Sequence, residues 1–194
     1  MRNSFLFAVM FFFIFNIALF AQEKEEDNLL GSSTKLESFL AKKGKLIVKD
    51  SYTLGEISGM GKMDFDALII YEPGLESQKI RGIRVEISED ALKGMSDTAF
   101  LDLDEVKSLS KAVIYMTDLA NKWSGAQSKA YTEVLYSTRG NFKLGFYHKG
   151  TKLGAFASSG YNGKSTVYFG VENLEKLKEI IDKGRCILMN TKDL

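Results

Sequence analysis

Apolar positions in this chain change their period along its length, and each change marks an element. The first stretch has no period. Residues 1–21, MRNSFLFAVMFFFIFNIALFA, are apolar from Phe5 onward except at Asn16. Arg2 precedes the run, small Ala21 ends it and the polar QEKEED follows. This is the layout of a secretory signal peptide cleaved after Ala21, with Leu19 at the position where a smaller residue is preferred. Left uncleaved, the run from Phe5 to Ala21 would sit at the short limit for a membrane span. Once it is removed, no stable membrane span is expected. The boundary has no cysteine to carry a lipid anchor.

Residues 22–33 are polar with a Gly-Ser end and read as a flexible leader. Period 3.6 then appears in Thr34 to Lys43, where Leu36, Phe39 and Leu40 share a face and Thr34 and Glu37 have capping-box spacing. Four strand-like stretches follow: Lys45 to Ile57 with a kink at Gly55, Lys62 to Glu72, Gln78 to Ser88, and Thr98 to Leu103. The second has the cleanest period of two. Met63, Phe65, Ala67, Ile69 and Tyr71 point one way, against Lys62, Asp64, Asp66 and Glu72 with Leu68 and Ile70 between them. Pro73-Gly74 makes the turn after it. Asp104 to Lys122 returns to helical spacing, capped by Asp102 and Glu105, with Trp123 as an anchor at its end.

The second half repeats this order. Tyr131 to Thr138, Asn141 to Lys149, Thr151 to Ser158 and Ser165 to Phe169 read as strands joined by tight turns, and Val171 to about Lys183 as the closing helix. The ends of the halves align at a constant offset without a gap, Thr98 against Thr166 and Val113 against Ile181. The expected fold class is α+β. It has antiparallel sheets in two similarly ordered halves, each of four strands and a helix, preceded by the signal peptide and the short helix. The segments are 1–21, 22–44, 45–124 and 125–194, with the two halves forming one compact domain rather than two.

Composition narrows the class. The 26 basic and 25 acidic side chains become equal in number once Arg2 leaves with the signal, and half of the 14 Phe leave with it. A neutral chain is a poor candidate for a dedicated nucleic-acid or polybasic membrane-surface binder. One cysteine rules out an intrachain disulfide, and one His and one Cys cannot build a zinc site. No cofactor is expected.

The candidate chemistry is sparse. Cys186, among Ile187, Leu188 and Met189, reads as a buried structural thiol. His148 falls on the core face of its strand with Phe142, Leu144 and Phe146, and no nucleophile motif accompanies it. Gly163-Lys164-Ser165-Thr166 copies the tail of a P-loop, but Ser158 stands where the first glycine belongs and a strand follows instead of a helix. It reads as a hairpin turn. Asp64 and Asp66 lie about 6.6–6.8 Å apart by strand rise. Such a pair could serve a carboxylate-based hydrolase, against the plainer reading of a solvated sheet face. The most suggestive surface is in the second half. Lys143, Tyr147 and Lys149 share the face opposite Phe142 and Leu144, with Arg139, Lys152 and Lys164 in nearby turns or strands. Basic groups interleaved with aromatics can stack rings or bases and hold anions.

Two resemblances bear on this order. Two units of four strands and a helix are similar in element order to the PUR and Whirly single-stranded nucleic-acid binders, which implies that function as an alternative. The segments FLDLDEVKSLSKAVIYM, YTEVLYSTRGNFKLGFY and VENLEKLKEIID resemble secreted bacterial proteins with no assigned activity, which implies compartment and fold alone. The expectation is therefore an exported, non-enzymatic bacterial protein, periplasmic or secreted, that binds a ligand or an envelope or extracellular partner.

Overall fold

The structure, a computed structural model, describes residues 33–89, 95–160 and 163–190. Residues 1–21, expected to be a signal peptide, and most of the expected polar leader lie outside the described residues. A short helix α1 (Lys35–Leu40) leads into β1 (Val48–Gly59), β2 (Gly61–Tyr71), β3 (Ile80–Ser88) and β4 (Ser96–Asp102), and then α2 (Leu103–Trp123). The second half runs β5 (Ser128–Ser137), β6 (Lys143–Gly150), β7 (Lys152–Ser159), β8 (Ser165–Phe169) and α3 (Asn173–Asn190). Each set of four strands forms an antiparallel meander in chain order. The fold is α+β with two similarly ordered halves.

Tight turns set this topology, since consecutive strands joined by a few residues can only pair antiparallel. Pro73-Gly74 turns β2 toward β3, with Gly74 at φ 84°. Gly163 at φ 67° ends the turn into β8, so Lys164 to Thr166 runs out of a hairpin and not into a helix. The kink in β1 is a bulge: Thr53 pairs with Asp66 and Gly55 with Phe65, which leaves Leu54 as the extra residue, turned inward and buried.

One hydrophobic core joins both halves. Met63, Phe65, Ala67 and Ile69 of β2, Val85 and Ile87 of β3, Phe142, Leu144 and Phe146 around β6, and the apolar stripes of α2 and α3 belong to a single cluster. The helices are shared between the halves. Trp123 at the end of α2 packs on Phe146 and His148 of the second sheet, with ring centroids 5.5 and 5.8 Å away. From the second half, α3 lays Ile180 against Gly55 and Gly184 against Leu54 and Ile83 of the first sheet. Each half thus helps bury the other's sheet, and burial of this shared face dominates the stability of both.

The first sheet also has a covered outer face. Leu68 and Ile70, which interrupt the polar side of β2, pack with Leu36 and Phe39 of α1 in a second small cluster. The capping box of Thr34 and Glu37 starts this helix. Among the described residues no helix is long and apolar enough to cross a membrane.

Three expectations change. The closing helix does not stop near Lys183 but runs to Asn190, because Gly184 serves packing rather than termination. A Cβ there would stand 2.7 Å from Leu54 Cδ1 and 2.8 Å from Ile83 Cδ1. Cys186 is exposed, not buried: in the extended helix it falls off the inward stripe of Leu177, Ile181, Gly184 and Leu188. The first strand runs from Val48 to Gly59 rather than from Lys45 to Ile57, and Leu46 lies exposed ahead of it.

Candidate ligand-binding face

The outer face of the second sheet is built by strand alternation. On β6, inward Leu144, Phe146 and His148 leave Lys143, Gly145, Tyr147 and Lys149 facing out. On β7, Ala155 and Ala157 go inward and Lys152, Gly154, Phe156 and Ser158 outward; on β8, Tyr168 faces out. Register then aligns them. Leu135, Gly145, Phe156 and Tyr168 form one row across four strands, and Glu133, Tyr147 and Gly154 the next.

In each row a ring stands beside a glycine on the adjacent strand, Phe156 beside Gly145 and Tyr147 beside Gly154, and the rings use the space. A Cβ on Gly154 would come within 2.6 Å of the Tyr147 hydroxyl and 2.7 Å of its ring, and one on Gly145 within 2.7 Å of the Phe156 ring. Both rings therefore lie down across the neighbouring strand. Tyr131 stacks on Tyr147 with centroids 6.0 Å apart and planes at 20°. Phe156 meets Tyr168 at 6.3 Å and 44°. These are the offset and tilted arrangements that aromatic pairs favour.

Tyr131, Glu133, Tyr147, Phe156 and Tyr168 enclose an open bowl of about 310 Å³. That is the lower end of the size range of small-molecule sites. Tyr131 and Tyr168 remain 57% and 48% exposed, so their rings can be reached from solvent. The Tyr131 hydroxyl donates to Glu133 Oε2 at 2.8 Å, and this bond, more than burial, raises the phenol above its ordinary value. The phenol therefore stays a donor.

Of the six residues singled out in the sequence, only Tyr147 lines the bowl. Lys143, Lys149 and Lys152 stand on the same outward face, Lys149 and Lys152 directly opposite each other at the hairpin end. Lys164 lies 3.8 Å from Asp97 at the β7–β8 turn. Arg139 is engaged elsewhere: its guanidinium donates to both oxygens of Asp104 at 2.9 Å and to Asp102 at 3.3 Å, while its backbone N–H donates to Glu105 at 2.6 Å. Tyr131, Glu133, Phe156 and Tyr168 escaped the sequence reading. Alternation in YTEVLYS does place Tyr131 and Glu133 on one face, but which ring meets which glycine depends on register.

The other candidate groups resolve into structural contacts. His148 is buried, with Nε2 3.1 Å from the Ala126 carbonyl and its ring stacked on Trp123. Asp64 pairs with Lys62 at 2.8 Å, and Asp66 with Arg84 at 2.6 Å. A larger cavity of about 640 Å³ lies where α1 and α2 begin, lined by Lys35, Lys79, Arg81 and Lys107 together with Asp102 and Asp104. Cations and carboxylates mingle there, and Asp102 already occupies the place at the helix starts where an anion would sit. Among the described residues no group of three or more His, Cys, Asp or Glu is placed to hold a metal ion. No protein-family model and no curated protein matches this chain.

Proposed function

We propose that this protein is an exported, non-enzymatic binding module of the bacterial envelope or extracellular space, and that it presents the outer face of its second sheet to a small ligand. The observation that carries this is the aromatic bowl, where Tyr131, Tyr147, Phe156 and Tyr168 surround an open cavity on a face that no helix covers among the described residues, with Tyr131 and Tyr168 exposed. Accessible stacked rings on a rigid sheet are preorganised for a ligand, since little entropy is lost on binding. The segment at residues 1–21 supports export. The cation partners of Asp64 and Asp66 favour a sheet-stabilising role over acid-base work.

Cell fractionation with N-terminal sequencing tests the location. The expected chain begins near Gln22 and is found outside the cytoplasm; full-length chain confined to the cytosol overturns export. Amide chemical-shift mapping with a panel of glycan, nucleotide and ammonium probes tests the site. Shifts should centre on the bowl, and a panel that leaves those amides unmoved overturns the binding role. One observation favours a second reading, single-stranded nucleic acid: Lys143, Lys149 and Lys152 share a face with Tyr147. Oligonucleotide binding that weakens steeply with salt would replace the small ligand with that one.

A further inference from the structure

We infer that the bowl takes an organic cation, specifically a quaternary ammonium group such as the trimethylammonium end of choline. This deepens the binding-module assignment and rests on it.

The lining is one-sided in charge. Four aromatic rings and a single carboxylate, Glu133, enclose the cavity, and among the described residues no basic side chain lines it. The basic residues of the same sheet face, Lys143, Lys149 and Lys152, stand outside that lining. Among the described residues Glu133 has no ion pair, and its one hydrogen bond comes from Tyr131. That bond fixes the carboxylate beside the ring stack. Aromatic faces carry the negative part of the ring quadrupole, so rings and carboxylate attract the same sign of charge. A phosphate or carboxylate ligand would meet Glu133 and the ring faces as repulsion.

The rings also select the kind of cation. A primary ammonium could donate to Glu133 and the tyrosine hydroxyls, but it would have to give up a strongly held hydration shell to sit against the four ring faces. A trimethylammonium group has no donors to satisfy and spreads its charge over methyl surface, which suits contact with ring faces. A neutral ligand of the same shape would gain the apolar contact but nothing from Glu133.

The test uses the protein as the cell processes it, labelled with ¹⁵N and titrated separately with choline, tetramethylammonium and 3,3-dimethyl-1-butanol, the neutral isostere of choline. Both cations should shift the amides of Tyr131, Glu133, Tyr147, Phe156 and Tyr168 saturably. The isostere should bind about fivefold more weakly or worse, on the scale of one cation–π contact. Glu133→Gln should bring choline and the isostere toward equal affinity without altering thermal stability, since its side chain is exposed. Tyr147→Ala should weaken choline about fivefold. Equal binding of choline and the isostere overturns the cation assignment and leaves a binding module. So does an oligonucleotide or glycan that moves these amides where choline does not. Failure of every probe overturns both.

Discussion

Asp102 accepts the backbone N–H of Lys35 at 2.9 Å, so the residue that starts α2 also holds the first turn of α1. The same carboxylate accepts from Leu36 N at 3.3 Å and takes part in the capping box with Glu105. It is buried, and two helices that begin far apart in sequence share it. Asp102→Ala should therefore cost about 2–3 kcal/mol, combining a lost cap with N–H groups left unsatisfied in a buried place. Asp102→Asn keeps an acceptor oxygen and should cost less. Urea denaturation at neutral pH measures both, and a loss within about 0.5 kcal/mol for the alanine variant would show that surface-like behaviour prevails.

The Arg139 guanidinium ties the β5–β6 turn to the start of α2 through Asp104 and Asp102. Its hydrogen bond is the largest cause holding the Asp104 carboxyl below its ordinary value of 3.8; burial opposes it less strongly, and the guanidinium charge adds a smaller downward pull. A carboxyl depressed by folding stabilises the folded state above its unfolded value, and that contribution fades as pH falls through the depressed value. Arg139→Gln should thus cost about 1 kcal/mol at pH 7, a figure already reduced for solvent screening at a half-exposed pair. The gap from wild type should narrow below about pH 3.8. Stability curves for both proteins across that range decide it; a gap that stays constant into strong acid would remove Asp104 as its source.

The helix α1 is part of the fold and not of the leader that precedes it. Leu36 is fully buried and packs with Leu68 and Ile70, the apolar residues on the otherwise polar side of β2. Leu36→Ala should destabilise by about 2–5 kcal/mol. Guanidinium unfolding measures it, and a variant as stable as wild type would mean that α1 detaches without consequence.

Local signals in the chain locate most elements, and the misplaced features are long-range ones. Period two in KMDFDALIIYE and the spacings Thr34–Glu37 and Asp102–Glu105 act within a few residues, and strand and caps form where they indicate. The closing helix, expected to end near Lys183, runs on through Gly184 to Asn190. The missing Cβ of Gly184 accommodates Leu54 and Ile83, residues more than a hundred positions earlier. The apolar neighbours Ile187, Leu188 and Met189 point to a buried Cys186, but helical spacing buries only Leu188 of these and leaves the thiol exposed. Gly184→Ala should accordingly lower the melting temperature, with a cost of about 1–3 kcal/mol from overpacking that exceeds the roughly 1 kcal/mol of helix propensity gained. A rise in melting temperature would mean that Leu54 and Ile83 make room for the added methyl without cost. The candidate face behaves similarly: Lys143, Tyr147 and Lys149 follow from alternation alone, whereas the ring-over-glycine pairing needs the register of four strands.

The ring-over-glycine arrangement separates site from scaffold in one substitution. In Gly154→Ala the added methyl would meet the Tyr147 hydroxyl and ring, the outer end of a side chain that can swing toward solvent. The backbone need not move, so thermal stability should stay within a few tenths to about 1 kcal/mol of wild type. The Tyr147 ring, however, must lift off the strand, which breaks its stack on Tyr131 and opens one wall of the bowl. The Tyr131 ring proton signals should lose the shift that the neighbouring ring imposes, and choline should bind about fivefold more weakly or worse. Proton NMR of the tyrosines and a choline titration on the same sample give both readouts. Loss of the stack with choline affinity intact would place the cation away from Tyr147, whereas loss of both with the fold preserved ties recognition to a ring held flat by a glycine on the next strand.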